Sequence, residues 1–377
     1  MRPETEKELA DVIGNATGPL CLLGGGTRGG GTSGTQLSLS GLRGITLYEP
    51  GSLTMRARAG TPVAEIEATL ATADQRLAFE PMDHRGLLGS AGAPTIGGVV
   101  AANVSGPRRI QVGACRDFVL GVRFVDGIGR ILKNGGRVMK NVTGYDLVKL
   151  LCGSHGTIGA LSEVAFKVLP TVETEATVLI DGLSDVTAVE AMSAALGAPF
   201  EVSGAAHARA GRNGPPVTML RLEGFEGSVR YRSGKLQNLL ARFGEITVDC
   251  DPEQSASLWR DVRDVAGFHG GEGDIWRISV KPSDGPLVAR NLGDAEVLFD
   301  WGGGLVWARV AAGTDLRALL VQIKGHATLV RASDATRARL GVFQPEPGPL
   351  AAISRGLREK FDPRALLNPG LMDPIAS

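Results

Sequence analysis

Three short stretches carry the residue types that could hold an oxygen-rich ligand. The first is Gly24-Gly25-Gly26-Thr27-Arg28-Gly29-Gly30-Gly31-Thr32, six glycines in nine positions. No helix or regular strand survives the entropic cost of such a run, so it is a loop. Close amides, one hydroxyl and one cation suit a diphosphate cradle; the other reading is a flexible surface loop. The second stretch is Pro94-Thr95-Ile96-Gly97-Gly98-Val99-Val100-Ala101-Ala102-Asn103-Val104-Ser105-Gly106. Its small residues Gly97, Gly98, Ala101, Ala102 and Ser105 would give one smooth face to a short helix beginning near Ile96. A flat, polar-edged ligand could lie on that face, or the small residues could serve close packing of two elements. The third is the turn Gly153-Ser154-His155-Gly156 within Lys140 to Pro170, between a short amphipathic helix (Tyr145 to Leu151) and an alternating strand (Ala160 to Leu169). A glycine-walled turn lets backbone approach a ligand and aims N–H groups at its oxygens.

The elements that must position these turns follow in order. MRPETEKELADVIG reads as an amphipathic first helix, and Pro19 to Leu23 as a buried strand running into the first loop. The following SGTQLSLSGLRGI is no helix, so the loop is not the G-x-G-x-x-G turn that opens one, and it lacks the G-x-x-x-x-G-K-[ST] of a nucleotide-hydrolysing loop. Ile45 to Pro50 and Thr54 to Gly60 read as strands. A helix to about Ala73 follows, with Thr61 as N-cap and Pro62 at its first position, and then a short extended run from Leu77 to Pro81. Phe118 to Val125 and Gly129 to Lys133 form a hairpin about Asp126-Gly127. Beyond about residue 173, strands (Ala176 to Ile180, Val217 to Leu222, Glu245 to Val248, Ile275 to Val280, Leu305 to Val310) alternate with helices (Val186 to Leu196, Ser228 to Phe243, Ser255 to Val265, Thr314 to Ile323) in an α+β pattern.

Composition narrows the classes. A chain of 377 residues can hold two or three domains without a disulfide or metal staple. Lys+Arg 40 balances Asp+Glu 40 with no block of like charge, which argues against a nucleic-acid partner. Cys21, Cys115, Cys152 and Cys250 are scattered, with no C-x-x-C pair for zinc or iron–sulfur ligation, and a reducing cytoplasm fits them. The N-terminus lacks the apolar run of a signal peptide. The uncharged Gly86 to Pro107 has the length of a membrane span, but Gly and Pro punctuate it and large aliphatics are few, so no membrane insertion is expected. Glycine is in excess, 53 against roughly 26 at a usual 7%.

These residues carry a resemblance. Gly24 to Gly30, PTIGGVVAANVSG at Pro94 to Gly106, RDFVLGVRFVDGIG at Arg116 to Gly129 and TGYDLVKLLCGSHGTIG at Thr143 to Gly159 stand in the order and spacing of the FAD-binding fold of the vanillyl-alcohol oxidase and p-cresol methylhydroxylase (PCMH) superfamily. Within it the chain resembles the family of smaller flavin-type subunits of bacterial glycolate oxidase (glycolate dehydrogenase), through Gly106-Pro107-Arg108-Arg109, Met139-Lys140-Asn141-Val142, Trp276-Arg277-Ile278-Ser279, Trp301-Gly302-Gly303 and the closing Phe361 to Gly370. The resemblance implies an α+β fold. Residues 1–172 would be a PCMH-type FAD-binding domain of two α/β subdomains, 173–345 a reduced α+β cap domain, and 346–377 a segment packing back on the FAD domain.

The resemblance also implies non-covalent FAD. Relatives that tether the flavin use a His in the first loop or a Cys before the second motif, and here those places hold Gly24 to Gly31 and Gly92-Ala93. The implied FAD contacts are Gly25, Gly26, Thr27, Arg28, Gly29, Gly30, Pro81, Thr95, Gly97, Gly98, Asn103, Ser105, Gly106, Gly156, Thr157, Ile158, Gly159 and Asn368. Cys115 reads as a buried structural thiol. Hydroxy-acid-oxidising relatives carry an H-x-G-D-G-N-x-H run that is absent here; His269-Gly270-Gly271-Glu272-Gly273-Asp274 reads as a polar turn, and His155 stands where such relatives have Glu. No catalytic residue and no metal site is assigned. The implied function is that of an FAD-binding subunit in a heteromeric oxidase of glycolate or another D-2-hydroxy acid, with a larger FAD-containing subunit and an iron–sulfur subunit as partners. A self-sufficient FAD oxidoreductase and a non-catalytic structural subunit are the alternatives. The expected location is cytoplasmic, with membrane association only through a partner.

Overall fold

The computed structural model describes residues 1–28, 33–136, 144–209 and 214–372, which fall into two compact units. Unit 1 comprises Met1–Ser105, Ala114–Thr171 and Pro345–Ser377; unit 2 comprises Gly106–Gly113 and Val172–Gln344.

Unit 1 holds strands β1 (Leu20–Leu23), β2 (Thr35–Ser38), β3 (Ile45–Glu49), β4 (Thr54–Arg58), β5 (Gln75–Arg76), β6 (Val119–Val125), β7 (Ile131–Gly135), β8 (Ala160–Lys167) and β9 (Leu169–Pro170). β1 and β2 pair in parallel across the first glycine loop, and β3-β4-β8-β6-β7 form an antiparallel sheet. Helix Glu6–Gly14 buries Leu9 and Ile13, one turn apart on its inner face, and Thr5 Oγ1 caps it by accepting from Glu8 N (3.1 Å). The β6–β7 hairpin closes on Asp126, whose buried carboxylate accepts from the N–H groups of Ile128 (3.1 Å) and Arg130 (2.9 Å). Helix Val63–Ala71 departs from expectation at its start. Pro62, not Thr61, is the N-cap, because the Thr61 hydroxyl donates to Arg58 O (2.7 Å) and accepts from Gly44 N (3.0 Å). The extended pairing also falls earlier than expected, at β5, and the chain turns at Ala78-Phe79.

The C-terminal tail is stitched into unit 1. Leu20 N donates to Leu366 O (2.7 Å) and Asn368 N to Leu20 O (3.0 Å), while the Arg364 guanidinium caps the first helix through Ile13 O (2.7 Å) and Gly14 O (3.1 Å).

Unit 2 is one antiparallel sheet of β10 (Thr174–Asp181), β11 (Gly204–Ala208), β12 (Val217–Gly224), β13 (Ile246–Asp249), β14 (Asp274–Val280), β15 (Glu296–Asp300), β16 (Leu305–Val310) and β17 (Gly325–Arg331), in the order β13-β10-β12-β11-β15-β16-β14-β17. Strand alternation sends Leu220 and Ala205 to one core, with helices Asp185–Leu196, Glu226–Leu240 and Gly285–Asn291. Met219 and Ala206 face the opposite side, against Trp259 and Val262 of helix Pro252–Asp264. Three strands, β11, β15 and β17, lie outside the sequence expectation, and the helix expected over Thr314 to Ile323 is only Leu316–Leu319.

The side-chain amide of Asn368 joins three remote segments of unit 1, accepting from Leu22 N (2.7 Å) and donating to His155 O (2.8 Å). Asn368→Ala strands both partners, and the expected loss is about 1–3 kcal/mol of stability. A urea-denaturation midpoint equal to that of the wild type contradicts this role.

Candidate functional site

The three glycine-rich turns meet in unit 1. A Cβ on Gly25 would overlap the Ala93 carbonyl oxygen, and one on Gly92 would overlap the Gly25 carbonyl oxygen, so the first loop lies backbone to backbone against residues 92–93. Ser90 Oγ adds a hydrogen bond to Thr27 O (2.9 Å). The described part of this loop is therefore packed, not a free surface excursion. Helix Ile96–Ala101 starts at Thr95, whose Oγ1 accepts from Gly98 N (3.3 Å), and Gly97 N donates to Ala59 O (2.8 Å) at the end of β4. The third turn docks on this helix through His155 N to Ala101 O (2.9 Å) and Gly153 N to Val100 O (3.3 Å).

These elements line an open cavity of about 300 Å³. Of the expected contacts, Gly25, Gly26, Thr27, Arg28, Thr95, Gly97, Gly98, Gly156, Gly159 and Asn368 line it. Others lie off its wall. Asn103 Oδ1 accepts from Arg116 N (3.0 Å) and Ser105 Oγ from Cys115 N (2.9 Å), so both serve the following turn. Thr157 Oγ1 donates to Ser154 O (2.7 Å), Ile158 and Pro81 are buried elsewhere, and Gly106 belongs to unit 2. Gly29, Gly30 and the motif from Met139 to Thr143 lie outside the described residues. The wall also includes Ala59, Gln36 and His155, which had no expected role. Gln36 arrives through its parallel register with Cys21; no sequence pattern marks it.

Arg28 dominates the electrostatics. Its Nε and Nη2 atoms are buried with no hydrogen-bond partner among the described residues, and desolvation lowers its pKa to about 10. The Asp83 charge opposes that desolvation only in part; buried guanidinium nitrogens without an acceptor are costly, and an anion at the cavity wall relieves that cost. Burial, reinforced by the Arg28 charge, pushes His155 down to about 4, so its imidazole is neutral near pH 7. Burial also raises the Cys115 thiol well above its ordinary value and Cys152 to about 12, which makes them inert thiols. Three of the other four histidines hydrogen-bond elsewhere: His84 Nδ1 with Met82 O (3.3 Å), His207 Nδ1 with Thr218 Oγ1 (2.9 Å) and His269 Nε2 with Asp264 O (2.9 Å), while His326 lies on β17 of unit 2. Among the described residues no three His, Cys, Asp or Glu side chains cluster to hold a metal. A close-approach glycine wall with one desolvated cation fits a diphosphate-bearing cofactor.

Comparison with known proteins accords with that chemistry. An FAD binding domain family model matches residues 1–135. Glycolate oxidase subunit GlcE of Escherichia coli (strain K12) is 36% identical over 374 residues, covering 97% of this chain and 95% of that protein. Glycolate oxidase subunit GlcD of Bacillus subtilis (strain 168) is 42% identical over 85 residues, 22% of this chain and 18% of that protein. The solved structure of p-cresol methylhydroxylase with substrate bound superposes with a TM-score of 0.71 at 14% identity, over 99% of this chain and 88% of that one, and shares the fold.

Gly25→Ala tests the backbone contact. The added methyl must part the first loop from Ala93, and purified protein is expected to lose at least nine-tenths of its FAD. Gly89→Ala, at a positive φ off the cavity wall and meeting nothing within 4 Å, pays only the strain of positive φ, of order 1–3 kcal/mol, and keeps its FAD. Equal flavin content in the two variants contradicts the assignment.

Proposed function

Since this chain belongs to the family of the Escherichia coli glycolate oxidase subunit GlcE, we propose that it is the FAD-binding subunit of a heteromeric glycolate (D-2-hydroxy-acid) dehydrogenase. At the coarser level it is an FAD-dependent hydroxy-acid oxidoreductase. The finer reading is that glycolate is oxidised to glyoxylate in the complex, with a larger FAD-containing subunit as partner and an iron–sulfur subunit taking the electrons. The observation that carries the cofactor assignment is the buried edge of Arg28, whose Nε and Nη2 have no hydrogen-bond partner among the described residues, in a cavity walled by glycine backbone.

In this reading Arg28 holds the pyrophosphate, the Gly24–Gly26 and Gly156 backbone approaches it, and Asn368 fixes the third turn. Retention is non-covalent: the described loop carries no His, and the cavity-facing segment before Thr95 carries no Cys. Bound FAD supplies the two-electron acceptor for oxidation of the alcohol carbon. The chain's own acid/base provision is thin. His155, the imidazole on the cavity wall, is neutral but its pKa of about 4 makes it a weak base near pH 7. That shortage supports a division of labour in which proton abstraction from glycolate belongs to the larger subunit. Among the described residues no helix is long and apolar enough to cross a membrane.

The test is anaerobic. The purified chain is expected to carry visible flavin absorbance that glycolate or D-lactate leaves unbleached, and adding the larger flavoprotein and iron–sulfur subunits is expected to restore turnover. Rapid bleaching by the chain alone defeats the division of labour. A chain that cannot be reconstituted with FAD defeats the flavoprotein reading itself.

A further inference from the structure

The face of the unit 2 sheet turned away from its main core carries a second cavity. Met219 of β12 packs there with Trp259 and Val262 of helix Pro252–Asp264, and strand alternation sends Val217 to the same side. Register carries this apolar floor sideways. Ala208 of β11 pairs with Val217 on one flank and with Leu298 of β15 on the other. Val297 and Phe299, the neighbours of Leu298 along β15, belong to the main core, so Leu298 points the opposite way. Over this floor lies an open cavity of about 460 Å³. Its lining is drawn wholly from unit 2, whereas the flavin cavity is lined by unit 1.

Leu258 and Val262 of the helix form one wall, and the turn Ala266–Phe268 forms another. That turn is braced. Val265 caps the helix at φ 54°, a strained conformation for a β-branched residue, and so reverses the chain. Phe268 N then donates to Val265 O (2.9 Å), and Arg331 Nη1 donates to Phe268 O (3.3 Å) and Gly270 O (3.2 Å). The Arg309 guanidinium carbon lies 5.5 Å from the Phe268 ring centroid. The space is therefore preformed. Its charged lining residues are already engaged: Arg209 donates to Asp185 Oδ2 (3.1 and 2.7 Å) and to Gly293 O (2.8 Å), Glu296 Oε1 accepts from Arg309 Nε (2.9 Å), and Asp261 too is not free. An ion entering would shed water without gaining an unengaged counter-charge, whereas an uncharged apolar molecule meets floor and walls of its own kind. Small-molecule sites share this build, a preformed and mostly apolar space with few polar groups. Phe268 offers a ring and Met219 a thioether, and both favour an aromatic ligand.

We propose that this cavity is a binding site for an uncharged aromatic small molecule, built from residues that the flavin site does not use. The small side chains of Ala208 in the floor and Ala266 in the turn keep the space open. A ligand seated there packs on helix, turn and strands together, and because it binds the folded chain it raises the unfolding temperature.

The experiment titrates the FAD-loaded full chain by calorimetry, with flavin content recorded for each sample. Three ligands share one ring system: uncharged 2-naphthalenemethanol, anionic 2-naphthoate and cationic 2-naphthylmethylammonium; cyclohexylmethanol is the non-aromatic comparison. Saturable binding of 2-naphthalenemethanol is expected, at least tenfold tighter than that of the other three, together with a rise in Tm. Ala208→Phe and Ala266→Phe fill the cavity from floor and wall, and each is expected to weaken that binding at least tenfold with FAD content unchanged. No saturable binding, a charged or non-aromatic analogue that binds as tightly, or unchanged affinity in the folded Phe variants overturns the site. Should both variants misfold, the four-ligand comparison on wild type still decides it. A wild-type dimer in light scattering that Ala208→Phe dissociates assigns the face to a second copy of the chain and also overturns the proposal.

Discussion

One amide holds the flavin unit in register. Asn368 lies 213 residues from His155 and 346 from Leu22 in sequence, yet its side chain bonds to both, while its own N–H returns to Leu20 O. β1, the third glycine-rich turn and the C-terminal tail are thereby fixed at one point on the cavity wall. An Asn at positive φ (46°) suits the place, because this residue tolerates the left-handed region and offers both a donor and an acceptor. Aspartate would lose the donor and leucine both functions. The glycines of the first loop can approach Ala93 only because β1 is held there to launch them.

From that frame the electrostatics follow. Once the loop is pressed against residues 92–93, Arg28 is carried into the interior with two nitrogens that have no hydrogen-bond partner among the described residues. Burial, with the Arg28 charge added to it, pushes His155 down to about 4 and makes it a weak base. A phosphate-binding wall and a strong general base are therefore hard to combine at this turn. Unit 2 shows a comparable economy: the Arg108–Glu223 pair fixes the short Gly106–Gly113 excursion of chain, and that excursion brings Arg109 to the Trp301 indole, which Arg277 also reaches.

Much of the α+β fold was legible in the sequence because its signals are local. Asp126-Gly127 marks the hairpin, and the glycine run after Pro19 to Leu23 marks the first loop. The missed strands lack such signals. β11 reads Gly-Ala-Ala-His-Ala, whose small residues have little strand preference, and its place is set by pairing with β12 and by the Trp259 ring packed on Gly204. Thr61 looks like a helix cap, but tertiary contacts with Arg58 and Gly44 claim its hydroxyl. In the site, glycine positions were legible from composition, whereas the turn-directed side chains of Asn103 and Ser105 and the buried edge of Arg28 are set by packing between remote segments.

The central claim is that Arg28 meets a diphosphate. The most direct measurement compares the affinity of the apo chain for FAD and for riboflavin, which lacks the phosphates, in wild type and Arg28→Met. Charge-assisted hydrogen bonds of about 1.5–3 kcal/mol correspond to a roughly 10- to 150-fold loss of FAD affinity, with riboflavin affinity unchanged and the FAD-to-riboflavin preference collapsing accordingly. An Arg28→Met protein that keeps the wild-type preference for FAD would contradict the account.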